Sequence, residues 1–260
     1  MKVLIITDLE GVSGVDSITQ MSEGEGYEAA RRELMADVNA AVEGAFSGAA
    51  DEVFVIDGHY QGKNFIMELL TDKATYLPCS DFVKTEASGF DALICLGCHA
   101  MAGSEKAFLD HTQNSRTWFE YKVGGVPYGE IGQQAITLGA FGTPLVAVTG
   151  DKAVCDEAKA LVEGVATAAV KTAKVRNSAE CLPLEEARRL IFEAAQKGVK
   201  KYKEIKPYKI KTPTEVSVTL VRSDLTDDYI AQNPNLKRTG RTVSKTVNDI
   251  KTYNDLVKFF

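Results

Sequence analysis

Short apolar runs alternate with helix-patterned segments through the first two thirds of this chain. That alternation narrows the fold to a sheet with helices packed on it. Val3-Leu4-Ile5-Ile6-Thr7, Val53-Phe54-Val55-Ile56 and Ala92-Leu93-Ile94-Cys95-Leu96 are strand-like. They carry little of the polar alternation of a half-exposed strand, as expected where both faces are covered. Between the first two, residues 27–46 place Leu34, Val38, Ala41, Val42 and Ala45 on one helical face. Helix, strand and helix patterns follow at 132–140, 145–148 and 153–165. Strands separated by helices require crossover connections, which predicts a mainly parallel sheet flanked by helices.

Two further features interrupt the alternation. Trp118–Val123 and Val126-Pro127-Tyr128 flank Gly124-Gly125, the pattern of a β-hairpin. Past Val170 the style changes: Pro183 can open a helix running to about Lys203, and Val216-Val218-Leu220 and Thr242–Val247 read as strands. The expectation is an α/β catalytic region over 1–180 and a smaller mixed α/β region over 181–260.

Composition removes several functions. The net charge of −6 argues against a nucleic-acid binder, because phosphate contacts need a basic face. The basic stretch at 197–211 is interrupted by Glu204 and reads as a solvated helix end. No apolar run approaches the ~20 residues that cross a bilayer. The strand pattern begins at once, without the layout of an export signal, and the five cysteines are an odd number. A cytoplasmic protein with reduced thiols is therefore expected.

The chemistry concentrates where the apolar runs end. The first run leads into Asp8-Leu9-Glu10, two carboxylates at strand spacing that point to the same side. Small residues follow (Gly11, Ser13, Gly14), which let a loop fold back over an ion. The second run leads to Asp57-Gly58-His59 and the third to Gly97-Cys98-His99. Carboxylates leaving a strand commonly cap a helix, and a lone histidine is commonly just a hydrogen-bonding residue. Finding both types after equivalent strands is a different matter. Parallel strands bring their C-terminal ends into one crevice, where these side chains would make a site for a divalent metal, zinc first. Asp8, nearest its strand, is the candidate to bridge two ions. Asp57 could accept a hydrogen bond from an imidazole and fix its tautomer. His111 lies in a polar stretch and is the candidate acid/base, and Glu130 begins the helix after the hairpin. Cys95-Leu96-Gly97-Cys98-His99 matches a haem-attachment string, but Cys95 lies inside an apolar strand and no export signal accompanies it. No second CxxC completes a zinc finger. The reading is a metallohydrolase.

Thr7-Asp8-Leu9-Glu10-Gly11-Val12-Ser13-Gly14, Asp57-Gly58-His59, Leu96-Gly97-Cys98-His99-Ala100, His111 and Gly129-Glu130-Ile131-Gly132 together resemble the zinc-dependent D-aminopeptidase family. The resemblance runs end to end. It includes Pro144-Leu145-Val146 leading to Gly150-Asp151, and Ala168-Ala169-Val170-Lys171. It implies metal ligands at Asp8, Glu10, His59, His99 and Glu130, two zinc ions per subunit with Asp8 shared, and His111 as the catalytic histidine. It also implies a homodecameric ring and cleavage of short peptides with an N-terminal D-residue, such as D-Ala-D-Ala. One departure bears on substrate preference. Where the family usually carries Leu-Asn-Ala after Gly-Glu-x-Gly, this chain has Gln133-Gln134-Ala135. Two other functions share the same features: a dinuclear phosphoesterase, and a non-catalytic peptide-binding protein of a transport system.

Overall fold

β1 (Lys2–Thr7) lies between β2 (Glu52–Asp57) and β4 (Ala92–Cys98), parallel to both. Thr7 is level with Asp57 on one side and Leu96 on the other, so the three strands end together. Val3 through Ile6 are buried, which accounts for the unbroken apolar run. In this computed structural model, residues 1–60, 62–80 and 88–259 are described.

The main sheet has seven strands in the order β3-β2-β1-β4-β7-β8-β9. β3 is Thr75–Leu77, β7 Leu145–Asp151, β8 Ala166–Val175 and β9 Ser178–Cys181. Only the β8–β9 pairing is antiparallel. Helices α1 (Glu25–Ser47) and α4 (Leu184–Lys200) pack on each other against this sheet. Helix α4 begins just past the division expected near residue 180, yet it belongs to this layer. The sequence-expected helix over 153–165 is shorter in the structure: α3 is Lys152–Leu161.

A second, antiparallel sheet has the order β11-β12-β10-β5-β6. It joins the hairpin strands β5 (Trp118–Val123) and β6 (Val126–Pro127) to β10 (Thr214–Leu220), β11 (Lys237–Thr239) and β12 (Thr242–Val247). Two short helices complete the C-terminal part, α5 (Ser223–Gln232) and α6 (Tyr253–Val257). The sequence signals for this region were right as to type, but they gave no sign that the hairpin would pair with residues 214–220.

Helix α2 (Glu130–Ala140) contributes to both hydrophobic cores. Ile131, Ala135 and Leu138 join the core of the main sheet, while Ile136 joins that of the second. Every residue from Ile131 to Gly139 is buried, the polar Gln133, Gln134 and Thr137 included, so the helix is enclosed on all sides. Its first residue is thereby held at the mouth of the crevice where β1, β2 and β4 end. No helix among the described residues is long and apolar enough to cross a membrane.

Candidate metal centre

The loop after β1 stays pressed against β4. Asp8 N donates to Leu96 O (2.8 Å) and Gly11 N to Gly97 O (2.7 Å). So close an approach admits no side chain at residue 11: a Cβ there would lie 2.1 Å from the Cys98 carbonyl oxygen. The packing turns Asp8 and Glu10 toward the residues that follow β2 and β4. His59 Nδ1 is 2.9 Å from Asp8 Oδ1 and 3.1 Å from Glu10 Oε2. His99 Nε2 is 3.3 Å from Asp8 Oδ2 and 3.4 Å from Glu130 Oε1. His111 Nε2 is 3.8 Å from that same Glu130 oxygen, and its ring stacks on His99 with centroids 3.8 Å apart. All six residues singled out in the sequence thus converge.

They do so in overlapping sets whose ligand atoms lie within 4.8 Å of one another: Asp8, Glu10 and His59; Asp8, His99 and Glu130; and Glu10, His99 and His111. The first two share Asp8.

The hydrogen bonding of the imidazoles tests whether a cation fits. His99 Nδ1 is 3.0 Å from the Ala100 carbonyl and His111 Nδ1 is 2.8 Å from the Leu109 carbonyl. A carbonyl only accepts, so each Nδ1 carries the proton. His99 Nε2 then faces carboxylate oxygens of Asp8 and Glu130, at 3.3 and 3.4 Å. In a neutral ring it would set lone pair against lone pair, so that position needs a cation or a second proton. A divalent ion between His99 Nε2 and those carboxylates meets that demand. Glu10 Oε2 adds to the case: it is buried and makes no hydrogen bond, despite its 3.1 Å approach to His59. The donor set of carboxylates and imidazoles suits zinc.

Electrostatics reflect the same crowding. Burial opposes a charge on His59, but the Glu10 and Asp8 carboxylates outweigh it and push the imidazole up to about 11. His99 rises for the same reason, burial being overcome by Asp8 and Glu130. Burial raises Asp8, and the neighbouring Glu10 charge raises it further. Glu130 falls below the usual carboxylate range because His99 outweighs the effect of burial.

The site opens on a cavity of about 1110 Å³ whose wall includes Asp8, Glu10, His59, His111 and Glu130. A smaller cavity of about 470 Å³, beside Lys245 and Asp255, has none of the six on its wall. Two cations, Lys63 and Arg116, also line the larger cavity. Both are loop residues, Lys63 four positions past His59 and Arg116 five past His111, a proximity that the sequence reading passed over. Gln113 was likewise missed: its backbone N–H donates to Glu130 Oε1 (2.7 Å) and its amide joins Gln133 and Tyr253. Gln134 reaches the cavity wall, while Gln133 is buried behind it. Asp57 does not bond an imidazole. It accepts instead from Asn64 N (2.6 Å) and Asn64 Nδ2 (2.9 Å), and Asn64 Nδ2 in turn holds the His59 carbonyl. Its effect on His59 runs through the loop backbone.

A family model described as D-aminopeptidase matches residues 1–259. The chain is 29% identical over 212 residues to a D-aminopeptidase of Bacillus subtilis (strain 168), covering 80% of this chain and 77% of that one. Its fold is similar to that of a solved structure described as "Zn-dependent D-aminopeptidase DppA from Bacillus subtilis, a self-compartmentalizing protease", with a TM-score of 0.92 and 24% identity. That superposition covers 100% of this chain and 96% of the other.

Proposed function

The chain belongs to the D-aminopeptidase family, and on that footing we propose that it is a zinc aminopeptidase of short peptides with an N-terminal D-residue, such as D-Ala-D-Ala. The observation that carries the reading is the pair of three-residue sets sharing Asp8. Asp8, Glu10 and His59 would hold one ion, and Asp8, His99 and Glu130 the other. Bound zinc supplies carbonyl polarisation and lowers the pKa of a water to about 7.

The chain's own residues do the rest. The cavity wall is anionic around Glu10 and Glu130, which favours the ammonium of a free peptide N-terminus and so exopeptidase cleavage. His111 is tethered through Nδ1 to Leu109 O, leaving Nε2 as the atom that holds or delivers a proton to the departing amine. A positioned acid/base contributes roughly 10²–10⁴-fold. Gln134, on the cavity wall where the family usually has asparagine, is the candidate to alter substrate preference. The name of the structural relative supports self-assembly, and we propose a cytoplasmic homodecamer that encloses these cavities. Light scattering should then report ten copies of the 28.2 kDa chain.

The decisive experiment couples zinc content to turnover of D- and L-alanyl dipeptides. Two ions per chain with D-selective release of the N-terminal residue is the expected result. Metal-replete protein that turns over neither peptide would sink the reading. Lys63 and Arg116 on the cavity wall favour one second reading, a dinuclear phosphoesterase, since two ions about 3.5–4 Å apart serve phosphate esters too. An aryl phosphate assayed in parallel separates the two.

A further inference from the structure

Two charged side chains turned toward the centre have no part in the chemistry above. Lys171, on β8, is buried, and its Nζ lies 2.7, 2.6 and 2.5 Å from the carbonyl oxygens of Glu10, Val12 and Val15. An ammonium has three donors, and here all three are spent on one loop, the loop that carries Asp8 and Glu10. Glu157, on α3, accepts from Met101 N at 2.8 Å and also from Gly129 N. Met101 is two residues past His99, and Gly129 immediately precedes Glu130. The fit is close: a Cβ at position 129 would lie 2.6 Å from Glu157 Oε1 and 3.1 Å from Met101 Cα. Neither side chain comes within ion-pair distance of the six site residues among the described contacts. Each grips only backbone.

The division of labour is clean. Lys171 holds carbonyls on the Glu10 side of Asp8. Glu157 holds amides beside His99 and Glu130, which come from separate parts of the chain. Asp8, shared by both sets, has its own support on β4 through the bond from its N–H to Leu96 O, so a main-chain shift at Glu10 or at Glu130 displaces a ligand of one ion and leaves the other on its own support.

We propose that Lys171 and Glu157 are positioning residues, one for each half of the centre: Lys171 for the ion of Asp8, Glu10 and His59, and Glu157 for the ion of Asp8, His99 and Glu130. The assignment rests on the two-ion reading. A merely structural role for either residue predicts lower thermal stability with no preference between the ions.

The test uses zinc-loaded full-length wild type, Glu157→Gln and Lys171→Met. Each is titrated with a chelator, and crystals taken along the titration are read by anomalous diffraction at the zinc edge. In Glu157→Gln, the ion at His99 and Glu130 should leave at roughly 10–100-fold weaker chelation than in wild type, the usual scale for a lost supporting contact. The ion at Glu10 and His59 should hold as in wild type. Lys171→Met should show the reverse order. Loss of both ions together, loss of the same ion from both variants, or release unchanged from wild type would overturn the assignment. Should Lys171→Met fail to fold, Lys171→Arg replaces it, because a planar guanidinium cannot aim three donors as an ammonium does. The Glu157→Gln arm decides independently. A wild type holding fewer than two ions at these residues refutes the two-ion reading itself, and this is read before any variant is compared.

Discussion

Replacing Gly11 with alanine tests whether the close contact between the β1 and β4 loops builds the site. The added Cβ would meet the Cys98 carbonyl oxygen at 2.1 Å and the Cys98 nitrogen at 2.7 Å, both of them backbone atoms. Ordinary contact needs the two loops to part by more than ~1 Å. The 2.7 Å hydrogen bond from Gly11 N to Gly97 O would be lost, at about 1 kcal/mol. Overpacking a tight interior adds about 1–3 kcal/mol. The sum of roughly 2–4 kcal/mol corresponds to a fall in Tm of roughly 4–16 °C for a chain of this size. The same displacement carries Asp8 and Glu10 away from His99, so zinc retention should fall as well. Calorimetry is done on metal-free protein, since bound metal stabilises by mass action and would mask the effect. Zinc content after dialysis is then measured separately. A metal-free Gly11→Ala protein that melts with wild type, and which keeps its full zinc when loaded, would refute this account of the site.

Gly26→Ala is the contrasting case, because a Cβ there meets nothing nearer than 3.4 Å in the first turn of α1. It should stabilise by roughly 0.5–1 kcal/mol, readable as a small rise in denaturation midpoint. His111→Ala should keep both ions but lose roughly 10²–10⁴-fold in kcat, and full activity in a metal-replete variant would remove His111 from the mechanism. Burial raises Asp37 to about 6, although it accepts from Ser13 N. A carboxyl whose folded pKa is raised favours the folded state most below its unfolded value, and that contribution is lost as pH climbs through the folded one. Metal-free protein should therefore lose up to roughly 3 kcal/mol from this group between about pH 4 and 6, and Asp37→Asn should flatten that window in urea titrations. Wild type and Asp37→Asn with parallel stability profiles would contradict it.

The parts of the fold that could be read in sequence are those where local pattern and burial agree. β1, β2 and β4 are covered on both faces, so their apolar runs are unbroken, and the metal-type residues stand out directly after them. β8 left no such signal. Its sequence, ATAAVKTAKV, mixes alanine and lysine, which favour helices as much as strands, and only pairing with β7 makes it extended. The second sheet shows the same limit at longer range, since its β5–β10 pairing joins segments about a hundred residues apart. Glu157 and Lys171 were invisible for a related reason. A glutamate on a short amphipathic helix and a lysine in a strand read as solvated residues until the fold supplies the backbone groups they bind. Asp57 shows how a correct location can carry a wrong contact: its bond goes to Asn64, a partner seven residues on that no short motif includes.

Strand order also explains why Asp8 is the residue common to the set that contains His59 and the set that contains His99 and Glu130. The three strands that lead into Asp8, His59 and His99 run β2-β1-β4, so His59 and His99 flank the end of β1 from opposite sides. Neighbouring strands are about 4.8 Å apart. Only a short side chain at the end of the middle strand can turn one oxygen to each neighbour, and Asp8 does so with Oδ1 toward His59 and Oδ2 toward His99. Glu10, two residues further along the same edge, approaches His59 at 3.1 Å, and Glu130 on α2 approaches His99 at 3.4 Å. A one-strand offset between the two half-sites lies close to the ~3.5–4 Å separation of paired catalytic ions. A parallel sheet thus offers this spacing wherever a carboxylate ends a central strand with a histidine beyond each neighbour. Moving the carboxylate of Asp8 one methylene outward, in Asp8→Glu, keeps the charge but spoils that symmetry, so one ion should be lost before the other.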